Sequence, residues 1–191
     1  PSCRSAHMRV PDLLRVVCVV LSLAAGPAGA AVITPHPILF VTQTPFGQDF
    51  TNIMSTFGTH RGSTDSAPRG GDLWIRQPDG ALRNLTAEAG YGTTPAGQIA
   101  VRDPMPHWDG TKALFSMVVG GTTQNDYASV YFQIYEVTGF GTGETVQIRK
   151  LPQPADSNNV TPIYASDGRI LFTSDRPRNG DRRLYPQLDE Y

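Results

Sequence analysis

One frame occurs twice in this chain and constrains its fold more than any other feature. Asp103-Pro104-Met105-Pro106-His107-Trp108-Asp109-Gly110 leads into Lys112-Ala113-Leu114-Phe115-Ser116-Met117. In the same way Asn159-Val160-Thr161-Pro162-Ile163-Tyr164-Ala165-Ser166-Asp167-Gly168 leads into Arg169-Ile170-Leu171-Phe172-Thr173-Ser174-Asp175. Each copy reads as a β-prone run, an Asp-Gly turn and a second β-prone run, because Asp-Gly supplies the positive φ angles that a tight hairpin needs. The Leu-Phe pair of the second run recurs once more, in Pro37-Ile38-Leu39-Phe40-Val41-Thr42-Gln43.

A second kind of hairpin fills the intervals. Asp72-Leu73-Trp74-Ile75-Arg76-Gln77 turns at Pro78-Asp79-Gly80 into Ala81-Leu82-Arg83-Asn84-Leu85-Thr86. Tyr131-Phe132-Gln133-Ile134-Tyr135-Glu136-Val137 turns through a glycine-rich stretch into Thr145-Val146-Gln147-Ile148-Arg149-Lys150-Leu151. The unit is therefore four strands, A to D, repeating at a long period, which is the pattern of a β-propeller blade. A β-sandwich also contains many short strands, but the repeated frame favours the propeller. With 19 Gly and 16 Pro, the composition suits a turn-rich all-β chain better than a helical bundle.

The frame at 159–176 resembles the TolB-type propeller repeat. The order Val101-Arg102-Asp103-Pro104, His107-Trp108-Asp109-Gly110-Thr111-Lys112-Ala113-Leu114-Phe115-Ser116 and Gln133-Ile134-Tyr135-Glu136-Val137 is similar to the middle-domain propeller of hydrazine synthase alpha-subunit-like proteins. The resemblance covers residues 35–191 and is strongest over 99–176. It implies a propeller of four-stranded antiparallel blades. It also opens an alternative, in which the propeller is part of a larger periplasmic redox enzyme whose cofactor-binding segment lies elsewhere.

Strand order sets the expected blades. Blade one spans 37–86 and begins at its B strand. Blade two spans 103–151, with A at 103–108, B at 112–118, C at 130–137 and D at 145–151. Blade three spans 161–191, with A at 161–165 and B at 169–174, and runs out in its B–C loop. About two and a half blades are present, whereas even a four-bladed ring needs about sixteen strands. The expectation is an N-terminal part of a longer ring whose missing A strand comes from the far C-terminus. A small β-domain complete in itself is the other possibility.

The first thirty residues read as an address. Arg9 and Arg15 precede the apolar run 16–25, and Ala28-x-Ala30 closes it, which is the layout of a secretory signal peptide. Ten residues of helix rise only about 15 Å, half of a bilayer core, which speaks against a membrane anchor. Residues 1–7 precede Met8, a plausible initiator, which leaves room for an upstream extension of the segment. Removing 1–30 takes away Arg4, Arg9, Arg15 and Asp12, leaving 13 basic and 16 acidic residues and a net charge of −3. Cys3 and Cys18 leave with it. The remainder has no disulfide, no thiol nucleophile and no C-x-x-C-H haem attachment. A periplasmic or secreted protein is expected, with no cofactor in this segment and no membrane span after processing.

Function is expected on one rim. The A–B and C–D turns are mostly tight, whereas the connections 44–71, 87–102, 119–129 and 175–191 are long and leave from the opposite rim, where loops carry function. The ligand-binding candidates are His60 and Arg61 in the first insertion, Arg102 and His107 at the start of an innermost strand, and Arg176 after the third B strand. Arg69, Asp103 and Asp175 are further polar residues of this rim. Such a partly basic ring suits a partner protein or a small anionic ligand. Asp103 and Arg176 have a simpler reading as loop-tying hydrogen-bond partners, and His107 as an inward-facing strand residue. No catalytic residue and no metal ligand is assigned, since G-x-S-x-G, Walker and H-E-x-x-H patterns are all missing. The near-balance of 16 basic and 17 acidic residues excludes a strongly basic nucleic-acid binder. Trp74 and Trp108 fall on expected strand positions and read as core. The functional expectation is an exported, non-catalytic binding or interaction scaffold.

Overall fold

A computed structural model describes residues 33–44, 68–121 and 130–176, all within the compact unit Val32–Tyr191. The expected signal peptide at 1–30 and the candidates His60 and Arg61 lie outside the described residues. So do most of the first insertion and residues 177–191.

Within the described residues the architecture is all-β: three antiparallel sheets and a single turn of α-helix. β1 (Ile38–Val41), β2 (Leu73–Arg76) and β3 (Leu82–Asn84) form the first sheet in that order. β4 (Ile99–Pro106), β5 (Lys112–Val119), β6 (Gln133–Thr138) and β7 (Gln147–Lys150) form a four-stranded meander. β8 (Asn159–Tyr164) and β9 (Ile170–Ser174) pair as the third sheet.

The meander is covered on both faces, which explains why β5 is buried along nearly its whole length. Ala113, Phe115 and Met117 point to one side, where they join Leu73 and Ile75 of the first sheet. Val118 points to the other and joins Ala100, Phe132 and Val160. Alternation along one strand thus feeds two cores, one shared with each neighbouring sheet.

The Asp-Gly turns differ from expectation in one respect. Gly80, Gly110 and Gly168 have positive φ, but Asp79, Asp109 and Asp167 do not. Each aspartate instead uses Oδ1 to accept the backbone N–H two residues on, from Ala81, Thr111 and Arg169. The glycine N–H closes onto the carbonyl three residues back, at Gln77, His107 and Ala165. Only the glycine therefore needs the left-handed region, and the carboxylate holds the turn by an Asx contact.

Several strand limits also differ: β6 begins at Gln133 rather than 130 and β7 spans only Gln147–Lys150, and two further shifts have identifiable causes. β4 begins at Ile99, because Ile99–Arg102 pairs with Ser116–Val119 and is buried. Asp103-Pro104, the expected strand start, lies instead at a bulge inside β4, where a missing N–H is tolerated. β3 stops at Asn84, because its side chain accepts the Ala87 N–H and caps α1 (Leu85–Glu88).

A register shift between Arg102 and Met105 of β4 has a counterpart between Val160 and Ile163 of β8. Asp103 (φ 54°) and Thr161 (φ 55°) are the only non-glycine residues with positive φ among those described, and each precedes a proline. The bulges meet: Thr161 donates its backbone N–H to Asp103 Oδ2 at 2.9 Å, and Arg102 Nε donates to the same oxygen at 2.8 Å. Aspartate tolerates this backbone region better than most residues, whereas β-branched threonine is strained there. Asp103→Ala is expected to lower stability by about 1–3 kcal/mol, since both donors lose their shared acceptor. Asp103→Asn should recover much of that, as read by urea unfolding.

Candidate functional site

The strand directions place polar residues at two opposite ends of the sheets. The connections between β1 and β2, β3 and β4, β5 and β6, and β7 and β8 leave from one end. The turns between β2 and β3, β4 and β5, β6 and β7, and β8 and β9 leave from the other.

At the loop end, and inside β4 below it, the polar side chains hold structure. Arg102 is 8% exposed, paired with Asp103, and its guanidinium carbon lies 5.7 Å from the Phe132 ring centroid. Arg69 Nε donates to the Gly120 carbonyl at 2.6 Å. Asp175 receives the Asn158 backbone N–H and side-chain amide, both at 2.8 Å, which ties the end of β9 to the start of β8. Arg176 is exposed, and its backbone N–H donates to Ser174 Oγ.

His107 belongs to the other end. It follows the last residue of β4 and opens the Asp-Gly turn, so it lies a strand's length from the loop end. Arg102 and His107 are not brought together, because β4 starts four residues earlier than expected and Arg102 falls mid-strand.

His107 instead joins a cluster of rings and charges. Its ring lies 4.0 Å from Trp108 and meets Tyr164 edge-on at 4.7 Å, while Trp108 meets Tyr164 edge-on at 6.3 Å. Trp108 is 66% exposed, not core, because the turn swings it off the end of β4. Lys112 Nζ stands 5.1 Å from the Tyr164 ring centroid, a cation–π distance.

Behind the rings lies Glu136, on β6. Its Oε2 accepts from Arg149 Nη2 at 2.6 Å and Nε at 3.1 Å. Its Oε1 accepts the Tyr164 hydroxyl at 3.1 Å and faces Lys112 Nζ at 3.4 Å. Burial alone would raise this carboxyl, but the Arg149 hydrogen bond, the Lys112 charge and the Tyr164 hydroxyl together hold it below its ordinary value. Burial, and then the charge and hydrogen bond of Glu136, push the Tyr164 hydroxyl up, so it stays a donor. The Asp109 carboxyl is held at about 2, first by the Thr111 backbone N–H, then by the Thr111 hydroxyl and His107.

With both oxygens committed, Glu136 is an anchor and not a general base. Its depressed carboxyl contributes stability that is present above the unfolded value of about 4.3 and lost as pH falls through the folded value. Glu136→Gln should therefore cost about 1 kcal/mol at neutral pH, discounted because Arg149 is largely exposed. The gap between parent and variant should close below about pH 4, as followed by denaturant unfolding across pH.

Sequence reasoning passed over Glu136, Lys112, Arg149 and Tyr164. One signal was available: a carboxylate in the middle of the otherwise buried run Gln133–Val137 requires a paired cation. Glu136 lies directly opposite Leu114 on β5 and Arg149 on β7, which names one of its partners.

Among the described residues no group of three His, Cys, Asp or Glu side chains is placed to hold a metal ion, and no helix is long and apolar enough to cross a membrane. In comparisons with protein-family models, curated proteins and solved structures, the chain matches none.

Proposed function

We propose that the chain is an exported β-propeller module of the TolB type that works as a binding scaffold, with a partner protein or small anionic ligand held at its loop end. The three sheets are then successive blades and β4 and β8 the innermost strands of two of them. The observation that supports this reading best is the shared hairpin design of β4–β5 and β8–β9. Each has a bulge at a positive-φ residue before proline and an Asx-held Asp-Gly turn. The two hairpins are joined through Asp103 and Thr161. Units that each bury one face on the next form an extendable array.

The loop end suits recognition because its framework is fixed by side chain to backbone bonds, such as Arg69 to Gly120 and Gln133 to Ser157, while the connections themselves vary in length. A rigid frame presenting long loops is the usual arrangement of a binding face.

The test is site-specific photo-crosslinking in the exported protein. Photoreactive residues at Ala96 and Arg176 report on the loop end, and one at Thr142 reports on the turn end. A discrete protein adduct from the loop positions and none from Thr142 is the expected result. Adducts only at Thr142, or equal labelling from all three, would overturn the placement.

A further inference from the structure

The turn end carries a feature that neither the fold nor a loop-end scaffold uses. Trp108 occupies the second position of its Asp-Gly turn, and the matching position of the β8–β9 turn is Ser166. That turn closes with the same glycine and aspartate contacts, so the turn itself has no need of an indole. Yet the indole is oriented by neighbours: His107 packs against it with the planes tilted by 35°, and Tyr164 meets it edge-on. With His107 on one face and the residue 66% exposed, the other face is open to solvent. The supporting ring is itself pinned, since Tyr164 is held by Glu136 and Lys112.

We propose that the open face of Trp108 is a platform for a neutral saccharide ring. A pyranose has an apolar C–H face that matches an indole and a rim of hydroxyls that both donate and accept. The surroundings supply both roles. Lys112 keeps donors beyond its contact with Glu136, and Asp109 is 45% exposed, with Oδ1 engaged by Thr111 and His107. The charges balance locally, Lys112 and Arg149 against Glu136 and Asp109, so the surface favours neither an anion nor a cation. A neutral, hydroxyl-rich ligand with one apolar face fits that combination. An aromatic anion would meet Asp109, and a cation would meet Lys112.

The chain has two tryptophans, Trp74 and Trp108, so two indole N–H resonances report on binding and a Trp108→Phe variant assigns them. Cellohexaose and maltohexaose are titrated into the full chain, with phenyl phosphate and benzylammonium as charged ring-bearing controls. The expected result is a saturable shift of the Trp108 signal with at least one oligosaccharide and no comparable shift with either control. Trp108→Ala should weaken binding by about tenfold or more, and Lys112→Gln by about threefold, with circular dichroism unchanged. Failure of both sugars to move the Trp108 signal would overturn the proposal. So would an equal response to a charged control, or undiminished binding by Trp108→Ala. None of these readouts depends on the blade count or on the loop end.

Discussion

Phe115→Ala is expected to destabilise the protein by about 3–5 kcal/mol, a large part of the stability of a small domain. Phe115 is fully buried at the centre of β5 and shares its core with Leu73, Ile75 and Tyr135. Its ring stacks on Tyr135 at 5.8 Å, and Tyr91 meets Tyr135 edge-on at 6.1 Å. Truncation opens a cavity between two sheets whose backbones are fixed by hydrogen-bonded ladders, so the walls cannot collapse to fill it. Phe115→Leu keeps most of the volume and should cost clearly less. Urea unfolding of both variants decides the matter: equal midpoints for parent and Phe115→Ala would mean that this core does not join the two sheets. Burial also pushes the neighbouring Tyr135 hydroxyl up to about 12. The neutral form is thus favoured in the fold, and its contribution is lost as pH rises from about 10 towards that value.

Gly139→Ala should be comparably damaging for a different reason. Gly139 has φ 71°, and a Cβ there would lie 1.9 Å from the Thr145 carbonyl oxygen. The left-handed backbone alone costs an alanine about 1–2 kcal/mol. The collision adds to this and has no soft side chain to absorb it, because the obstacle is backbone. The β6–β7 connection must open, which strips β7 from the meander. Hydrogen exchange gives a specific reading: β7 amides and the Leu151 N–H, which bonds to the Ile134 carbonyl, should lose protection while β4 and β5 keep theirs. Unchanged protection at β7 would show that the turn can reshape at little cost.

Much of the strand plan was legible because its signals are local. Leu-Phe runs, Asp-Gly turns and the repeated frame locate β5, β8 and β9 to within two residues. The start of β4 was not legible, because Ile99–Arg102 reads as the end of the long connection 87–102 and only its pairing with Ser116–Val119 makes it strand. The end of β3 was missed because an Asn84 cap competes with extended structure, and side-chain capping leaves only a weak mark in composition. The site was less legible than the fold. Whether Trp108 is core or surface depends on where β4 stops, and a shift of two residues separates the readings. The Glu136 cluster needs four strands to be assembled before its partners are neighbours: Lys112 from β5, Arg149 from β7 and Tyr164 from β8.

The paired bulges of β4 and β8 act as a parity shift. Three steps along β4, from Arg102 to Met105, are matched by two along β5, from Ser116 to Leu114. β8 and β9 repeat that mismatch between Val160–Ile163 and Thr173–Leu171. Side chains alternate strictly along a strand, so one surplus residue exchanges the faces for everything downstream. A chain lacking Pro104 could keep an unbroken ladder yet present the next residues, His107 among them, to the opposite side of the sheet. Both copies of the frame therefore transmit an odd number as well as a motif. That number decides which neighbour the aromatic end of each hairpin faces.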